Sequence, residues 1–395
     1  MKITYIISTI ASQNNGNGGH YYSLLSTATA IKQIHEVKVI NIGTQKSFAL
    51  QNSNLDIINI TDSKLSNYKL LKDLYKTIKN EQTDVLHAFD SLGYFYARII
   101  SVVLNIPLIL TKCGGSNPKY YYPFCKNFIN YSIENVEFFK AKNKFKTANH
   151  YLIPNRISSF DNDETRIKKL KDKYNLESYD HVFLRIARIG YAYKNSIFQL
   201  LNLVQECNKG NTKSCILLIG TVEDKSVLEE IKKYETATLF IENDPYFTRN
   251  SKELIEIADV VLGTGRSFME AASKHKIMLA PIIDQKLPVL VNPENFKELF
   301  KTNFSERGRL SNFNDEKNLN DLIDLLSSKS QRVAFIDETS NLYDYNFNIE
   351  EKLSVYDSIY KELRFNRSIN FIDSFLNYLF VLKKFFQSES TKIDQ

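Results

Sequence analysis

Two successive runs of short apolar segments, each alternating with helical patterns, constrain this 395-residue chain more than any other feature. In the first run, residues 2–8, 37–42, 55–60, 85–89 and 107–111 read as strands, and residues 20–34, 62–79 and 92–104 as helices. Residues 151–155 look like a final short strand of this set. In the second run, residues 181–186, 215–220, 238–241, 259–262 and 277–281 read as strands, and 194–206, 225–233, 251–257 and 268–274 as helices. Such alternation implies parallel strands joined by crossover helices that cover both faces of a sheet. Two sets in one chain predict an α/β protein of two Rossmann-like domains facing across a cleft, with ligands at the carboxyl ends of the strands. The expected division is a first domain over residues 1–157, a linker and helix over 158–178 and a second domain over 179–346. A helix at 347–364, patterned by Ile349, Leu353, Tyr356, Ile359, Tyr360 and Leu363, then leads into a tail at 365–395.

Hydrophobic residues make up 43% of the chain, enough for a core in each domain, and the net charge of +6 is spread along it. No long basic run marks a nucleic-acid partner. Cys113, Cys125, Cys207 and Cys215 have neither zinc-ligand spacing nor disulfide density, so a reducing cytoplasm is the expected compartment. No apolar run reaches the roughly 18–20 residues of a membrane span. The tail at 368–386 carries Phe371, Ile372, Phe375, Leu376, Leu379 and Phe380 at helical spacing. It reads either as an amphipathic helix on an inner membrane surface or as a segment docked on the first domain or a second copy.

Five segments carry the chemistry. Ala187-Arg188-Ile189-Gly190 ends the strand at 181–186, and Lys194 opens the next helix. One arginine and one lysine there can address a shared anion, and a diphosphate suits them best. Residues 263–267 follow the strand at 259–262 with small side chains. Backbone donors of Thr264, Gly265, Arg266 and Ser267 at a helix start again suit phosphate, and Glu270 one turn in can accept two ribose hydroxyls. Gly18 and Gly19 lie between the first strand and first helix, where they are either a phosphate-approaching loop or a flexible turn. The Gly-x-Gly-x-x-Gly and Gly-Lys-Ser/Thr spacings are absent there. His87 and Asp90 end the strand at 85–89. They read either as groups polarising an acceptor hydroxyl or as a satisfied core histidine and a helix cap. Gly114 and Gly115 form a second glycine loop on that rim. Asp161 and Asp163 look like an acidic metal-binding pair, but Asp161 with Glu164 fits a capping box better, and no metal or cofactor is expected.

Together these segments resemble a glycosyltransferase of the GT-B fold, of the large retaining family 4 (glycosyl transferases group 1), over residues 1–364. Gly18-Gly19 is similar to the family's donor-contacting Gly-Gly loop, and Pro154-Asn155-Arg156 to its Pro-Asn-Gly turn. Arg188 and Lys194 keep the six-residue spacing of its diphosphate-binding pair, and Glu270-Ala271 matches half of its paired-glutamate signature. Gly263 stands where the family often has the first glutamate, and Phe89 where its cleft histidine commonly falls. The resemblance implies a metal-independent, retaining transfer from a nucleoside diphosphate sugar to a glycan or lipid-linked saccharide, as in bacterial surface polysaccharide synthesis. It also implies a final helix crossing back to the first domain. A catalytically inactive subunit that supports a partner transferase, and a sugar-nucleotide epimerase on the same fold, are the alternatives.

Overall fold

The computed structural model describes residues 1–9, 16, 18–43, 46–51, 53–61, 67–210, 212–234, 238–367 and 371–393. Most of the glycine-rich loop at 13–19, the start of the helix expected at 62–79 and residues 368–370 of the tail lie outside them. The chain divides into unit 1, Met1–Ser158 with Ile349–Gln395, and unit 2, Ser159–Asn348.

Unit 1 holds seven parallel strands: β1 (Lys2–Ser8), β2 (Glu36–Gly43), β3 (Asp56–Thr61), β4 (Val85–Ala88), β5 (Leu108–Lys112), β6 (Asn127–Asn130) and β7 (Asn149–Leu152). Their order is β3-β2-β1-β4-β5-β6-β7. The period of two along β1 sorts its side chains. Ile3, Tyr5 and Ile7 pack with helix Gly19–Ile31 and helix Leu353–Glu362, while Ile6 joins Ile40, Leu86 and helices Asn67–Asn80 and Ser91–Leu104 on the other face. Strand β6 escapes a hydrophobicity reading because Asn127 and Asn130, both buried, flank only Phe128 and Ile129. Strand β7 spans 149–152 instead of 151–155. It is an edge strand with exposed positions, so its sequence is polar.

Helix Leu353–Glu362 returns to unit 1 and is fastened there by a buried polar chain. Tyr360 Oη lies 2.8 Å from Tyr5 Oη and 2.8 Å from His87 Nδ1, and His87 Nε2 lies 2.6 Å from Thr111 Oγ1. His87 is fully buried with both ring nitrogens engaged. It is the satisfied core histidine and not a group offered to an acceptor hydroxyl. Phe89 is buried beside it.

The tail helix Phe371–Ile393 also packs on unit 1. Phe124 N–H donates to Asp373 Oδ2 at 2.8 Å, Lys144 pairs with Asp373, and Phe380 stacks on Tyr121 at 4.9 Å. Ile372, Phe375 and Leu379, at i, i+3 and i+7, remain exposed on the opposite side. Among the described residues no helix is long and apolar enough to cross a membrane.

Unit 2 holds β8 (His181–Ile186), β9 (Ser214–Ile219), β10 (Leu239–Glu242), β11 (Val260–Leu262), β12 (Ile277–Ala280) and β13 (Val289–Leu290), ordered β10-β9-β8-β11-β12-β13. All pairs are parallel except β12–β13. The two-residue β13 is too short for a periodic signal. Asp163, not Asp161, caps helix Glu164–Tyr174: its Oδ1 accepts the Arg166 N–H at 3.0 Å and its Oδ2 the Arg166 Nε–H at 2.7 Å. One residue thus both caps the helix and holds the buried Arg166, which Asp161 is too far upstream to do.

Burial pulls the His87 pKa down to about 3. The ring is therefore neutral in the fold, whereas an unfolded chain protonates it below about 6.5. Between these values the unfolded state binds the extra proton, so His87 costs stability as pH falls through that window and is neutral above it. The variant His87→Gln is expected to be less stable at pH 7, from lost hydrogen bonds. Its stability should decline less steeply between pH 6.5 and 4, by up to about 1.4 kcal/mol per pH unit. Urea melts across that range check this, and parallel slopes for both proteins would contradict it.

Candidate functional site

In a doubly wound sheet, the strand order reverses at one point, and the loops leaving the two strands there diverge to open a crevice. In unit 2 that point lies between β8 and β11. The loop after β8 carries Arg188 and Lys194, and the loop after β11 is 263–267, so the topology brings together the two segments singled out in the sequence.

The first loop is fixed by backbone pairing that outlasts β8. Ala187 N–H donates to Ile219 O at 3.0 Å, Ile189 N–H to Thr221 O at 2.8 Å, and Ile189 O accepts from Glu223 N–H at 2.8 Å. This approach requires glycine at 220, where a Cβ would sit 1.7 Å from Ala187 O. A short turn, Tyr191–Tyr193, then leads into helix Lys194–Cys207. Arg188 is exposed. It pairs with Glu223, donates to Tyr193 Oη at 3.3 Å, and lies over the Tyr193 ring at 5.3 Å. Lys194 pairs instead with Glu230 at 2.5 Å. The two cations thus stand on the loop and helix start that follow β8, each held by its own carboxylate from beyond β9.

The second loop is more closed than expected. Thr264 N–H donates to Ser267 Oγ at 3.2 Å, and Gly265 N–H to Asn303 O at 2.9 Å. Two of the backbone donors assigned to phosphate are thereby engaged inside the protein. Gly265 has φ +52°, and the helix it opens, Arg266–Ala272, is short. Gly263 admits no side chain, because a Cβ there would lie 2.3 Å from Phe268 Cα. Glu270, expected to hold ribose hydroxyls, is partly buried and accepts from Arg266 Nε–H at 2.7 Å.

Beneath both loops lies a residue the motif reading passed over. Arg185, on β8, is fully buried. Its Nη1 donates to Leu262 O at 3.1 Å, and its Nη2 to Ser196 Oγ at 2.9 Å and Thr264 Oγ1 at 3.4 Å. It ties the end of β11 to the start of helix Lys194–Cys207 and so sets the spacing of the two rim loops. Burial pulls its pKa below the usual arginine value, and Glu306, 3.8 Å away, opposes that shift. The sequence signal for it was an arginine inside an otherwise apolar strand segment.

In unit 1 the reversal lies between β1 and β4. Asp90 accepts from Gly93 N–H and Ser8 N–H, both at 2.6 Å, and from Ser8 Oγ at 3.1 Å. It caps helix Ser91–Leu104 and clamps the ends of the two strands, the structural alternative to a catalytic carboxylate. Burial raises its pKa against the pull of those hydrogen bonds and of nearby His20. Gly18 is the N-cap of helix Gly19–Ile31, and a Cβ on it would touch the His20 ring at 3.0 Å, whereas Gly19 is exposed with open space around it. Gly18 and Gly19 thus open the helix that follows β1, while His87 and Asp90 make their hydrogen bonds within the fold.

Residues 11–143, within unit 1, match the family model described as glycosyl transferase 4-like. No curated protein matches the chain in sequence. Among solved structures, a glycosyltransferase from Rickettsia africae ESF-5 aligns over 91% of this chain and 98% of its own, at 14% identity and a TM-score of 0.64. Anabaena Alr3699/HepE in complex with UDP and glucose aligns over 91% and 100%, at 16% identity and a TM-score of 0.60. The lipopolysaccharide outer core galactosyltransferase WaaB aligns over 92% and 100%, at 12% identity and a TM-score of 0.53. These likenesses confirm a fold of two Rossmann-like units. The chain has the two-unit GT-B fold, and its residues 11–143 are similar to the glycosyl transferase 4-like family.

Proposed function

We propose that this protein transfers a sugar from a nucleoside diphosphate sugar to a glycan or lipid-linked saccharide. The transfer retains anomeric configuration, needs no metal, and serves bacterial surface polysaccharide synthesis. The observation that carries the donor reading is the placement of Arg188 and Lys194 on the unit 2 rim, beside the 263–267 loop, at the strand-order reversal. The UDP bound to the Anabaena protein of similar fold supports a nucleotide donor.

Arg188 and Lys194 stabilise charge developing on the leaving diphosphate, an electrostatic contribution that side-chain cations can supply. Their present partners do not prevent this. Side chains in the Arg188–Glu223 and Lys194–Glu230 pairs are 34–43% exposed. Such surface pairs contribute about 0–1 kcal/mol each, so a diphosphate can displace them at small cost. Glu270 holds the ribose by exchanging its Arg266 contact, and unit 1 serves the acceptor, with Gly18 and Gly19 at its rim. The exposed Ile372, Phe375 and Leu379 of the tail helix rest on the inner membrane surface, which suits a lipid-linked acceptor.

One observation favours the inactive-subunit reading: position 263 cannot carry a carboxylate without displacing Phe268. Nucleotide release separates the two. With a panel of nucleoside diphosphate sugars, the wild-type protein is expected to release nucleotide, and Arg188→Ala to lower the rate about 100-fold or more, the scale of losing one charge-stabilising donor. No release by wild type at high protein concentration would favour the inactive subunit, and undiminished release by the variant would remove Arg188 from the mechanism. Flotation with anionic lipid vesicles tests the tail. The full chain should float, and Phe375→Ser/Leu379→Ser should stay with the soluble fraction; equal behaviour would show that the helix serves only packing.

A further inference from the structure

The 303–308 turn carries a group that the donor reading leaves unused. Glu306 has both carboxylate oxygens buried without a hydrogen-bond partner, and they lie beside Arg185, Nη2 to Oε1 3.8 Å, too long for a hydrogen bond. Arg185 Nε is likewise buried and unpartnered. Thr264, whose Oγ1 accepts from the same guanidinium, is a half-buried residue of the loop that follows β11. Unmade hydrogen bonds on a buried carboxylate and guanidinium are costly, because each group keeps its desolvation penalty uncompensated. The backbone that delivers Glu306 is also strained: Asn303 and Phe304 are consecutive non-glycine residues with φ +56° and +52°. Phe304 is pinned by stacking on Phe268 at 3.7 Å, and Asn303 O accepts from Gly265 N–H. A shift of this turn therefore couples directly to the 263–267 loop.

We propose that Glu306 and Arg185 form the pair that reads the hydroxyls of the donor sugar, Glu306 accepting from them and Arg185 donating to them. Charge selects the ligand class. An anion is repelled by Glu306 and a cation by Arg185, whereas a sugar hydroxyl donates to one and accepts from the other. Location supports the same class. The Tyr193 ring has the Arg185 guanidinium 5.6 Å from its centre and that of Arg188 5.3 Å from it. The pair thus shares an aromatic neighbour with the cation assigned to the diphosphate, close to where the sugar of a bound donor belongs. Because the oxygens are closed off, binding moves the 303–308 turn and relieves its strain. This inference rests on the nucleotide-sugar reading of the same rim.

The test is calorimetric binding of UDP, GDP and dTDP, and of UDP-glucose, GDP-mannose and dTDP-glucose, to wild type and Glu306→Gln. Wild type is expected to bind a sugar conjugate tighter than its bare diphosphate. Glu306→Gln should erase that difference, weakening the conjugate about tenfold or more while leaving the diphosphate within twofold. Equal affinity of wild type for conjugate and diphosphate, an undiminished difference in the variant, or equal loss of both ligands would overturn the role of Glu306 and leave the donor reading standing. Failure of wild type to bind any diphosphate would overturn the donor reading itself, and this inference with it. Glu306→Asp keeps the charge opposite Arg185 while withdrawing the carboxylate by one methylene. It should show the same selective loss and serves if the glutamine variant does not fold.

Discussion

A reversal of strand order is the constraint on which the rest of this structure depends. Because each crossover is right-handed, a parallel sheet whose winding direction reverses at its first strand sends the loops on either side of that point toward opposite faces. In unit 2 this puts residues 187–194 and 263–267 on one rim although 68 residues separate them in sequence. The chemistry proposed here is a consequence of that placement. Neither loop would address a diphosphate alone, since Arg188 and Lys194 hold separate carboxylates and the 263–267 backbone is partly bonded to itself.

A buried guanidinium makes that rim a fixed object. Arg185 joins Leu262, Thr264 and Ser196, so the spacing of the two loops is set by one side chain with no exposure to water. A charge so placed is expensive unless hydrogen-bonded, and only part of its capacity is met within the protein. Unit 1 uses polar burial in a different way. The chain of hydroxyls and imidazole through Tyr5, Tyr360, His87 and Thr111 is closed, with every ring nitrogen engaged, and its work is to anchor the returning helix.

The alternation of apolar segments and helical patterns made the two-unit architecture legible, because strands buried on both faces must be continuously apolar. Strands β6, β7 and β13 were missed or shifted for the converse reason: they are short, edge-placed or flanked by buried asparagines. Arg188 and Lys194 were legible as a rim pair because a strand end followed by a helix start fixes where side chains emerge. Their carboxylate partners were not, since Glu223 and Glu230 come from a separate strand–helix connection. His87 shows the limit of position as a guide. It sits at a strand end, but its fate was decided by Tyr360, 273 residues later, which no local pattern reveals. Glu306 left no local signal either, for its meaning comes only from its distance to Arg185.

The proposed activity requires that the β8–β11 rim of unit 2 receive the donor nucleotide. Hydrogen–deuterium exchange with and without a saturating nucleoside diphosphate tests it most directly. New protection of backbone amides is expected within residues 187–194 and 263–270, with the unit 1 strands unchanged. Protection confined to residues 1–158, or none at either unit 2 loop while the nucleotide is bound, would contradict it.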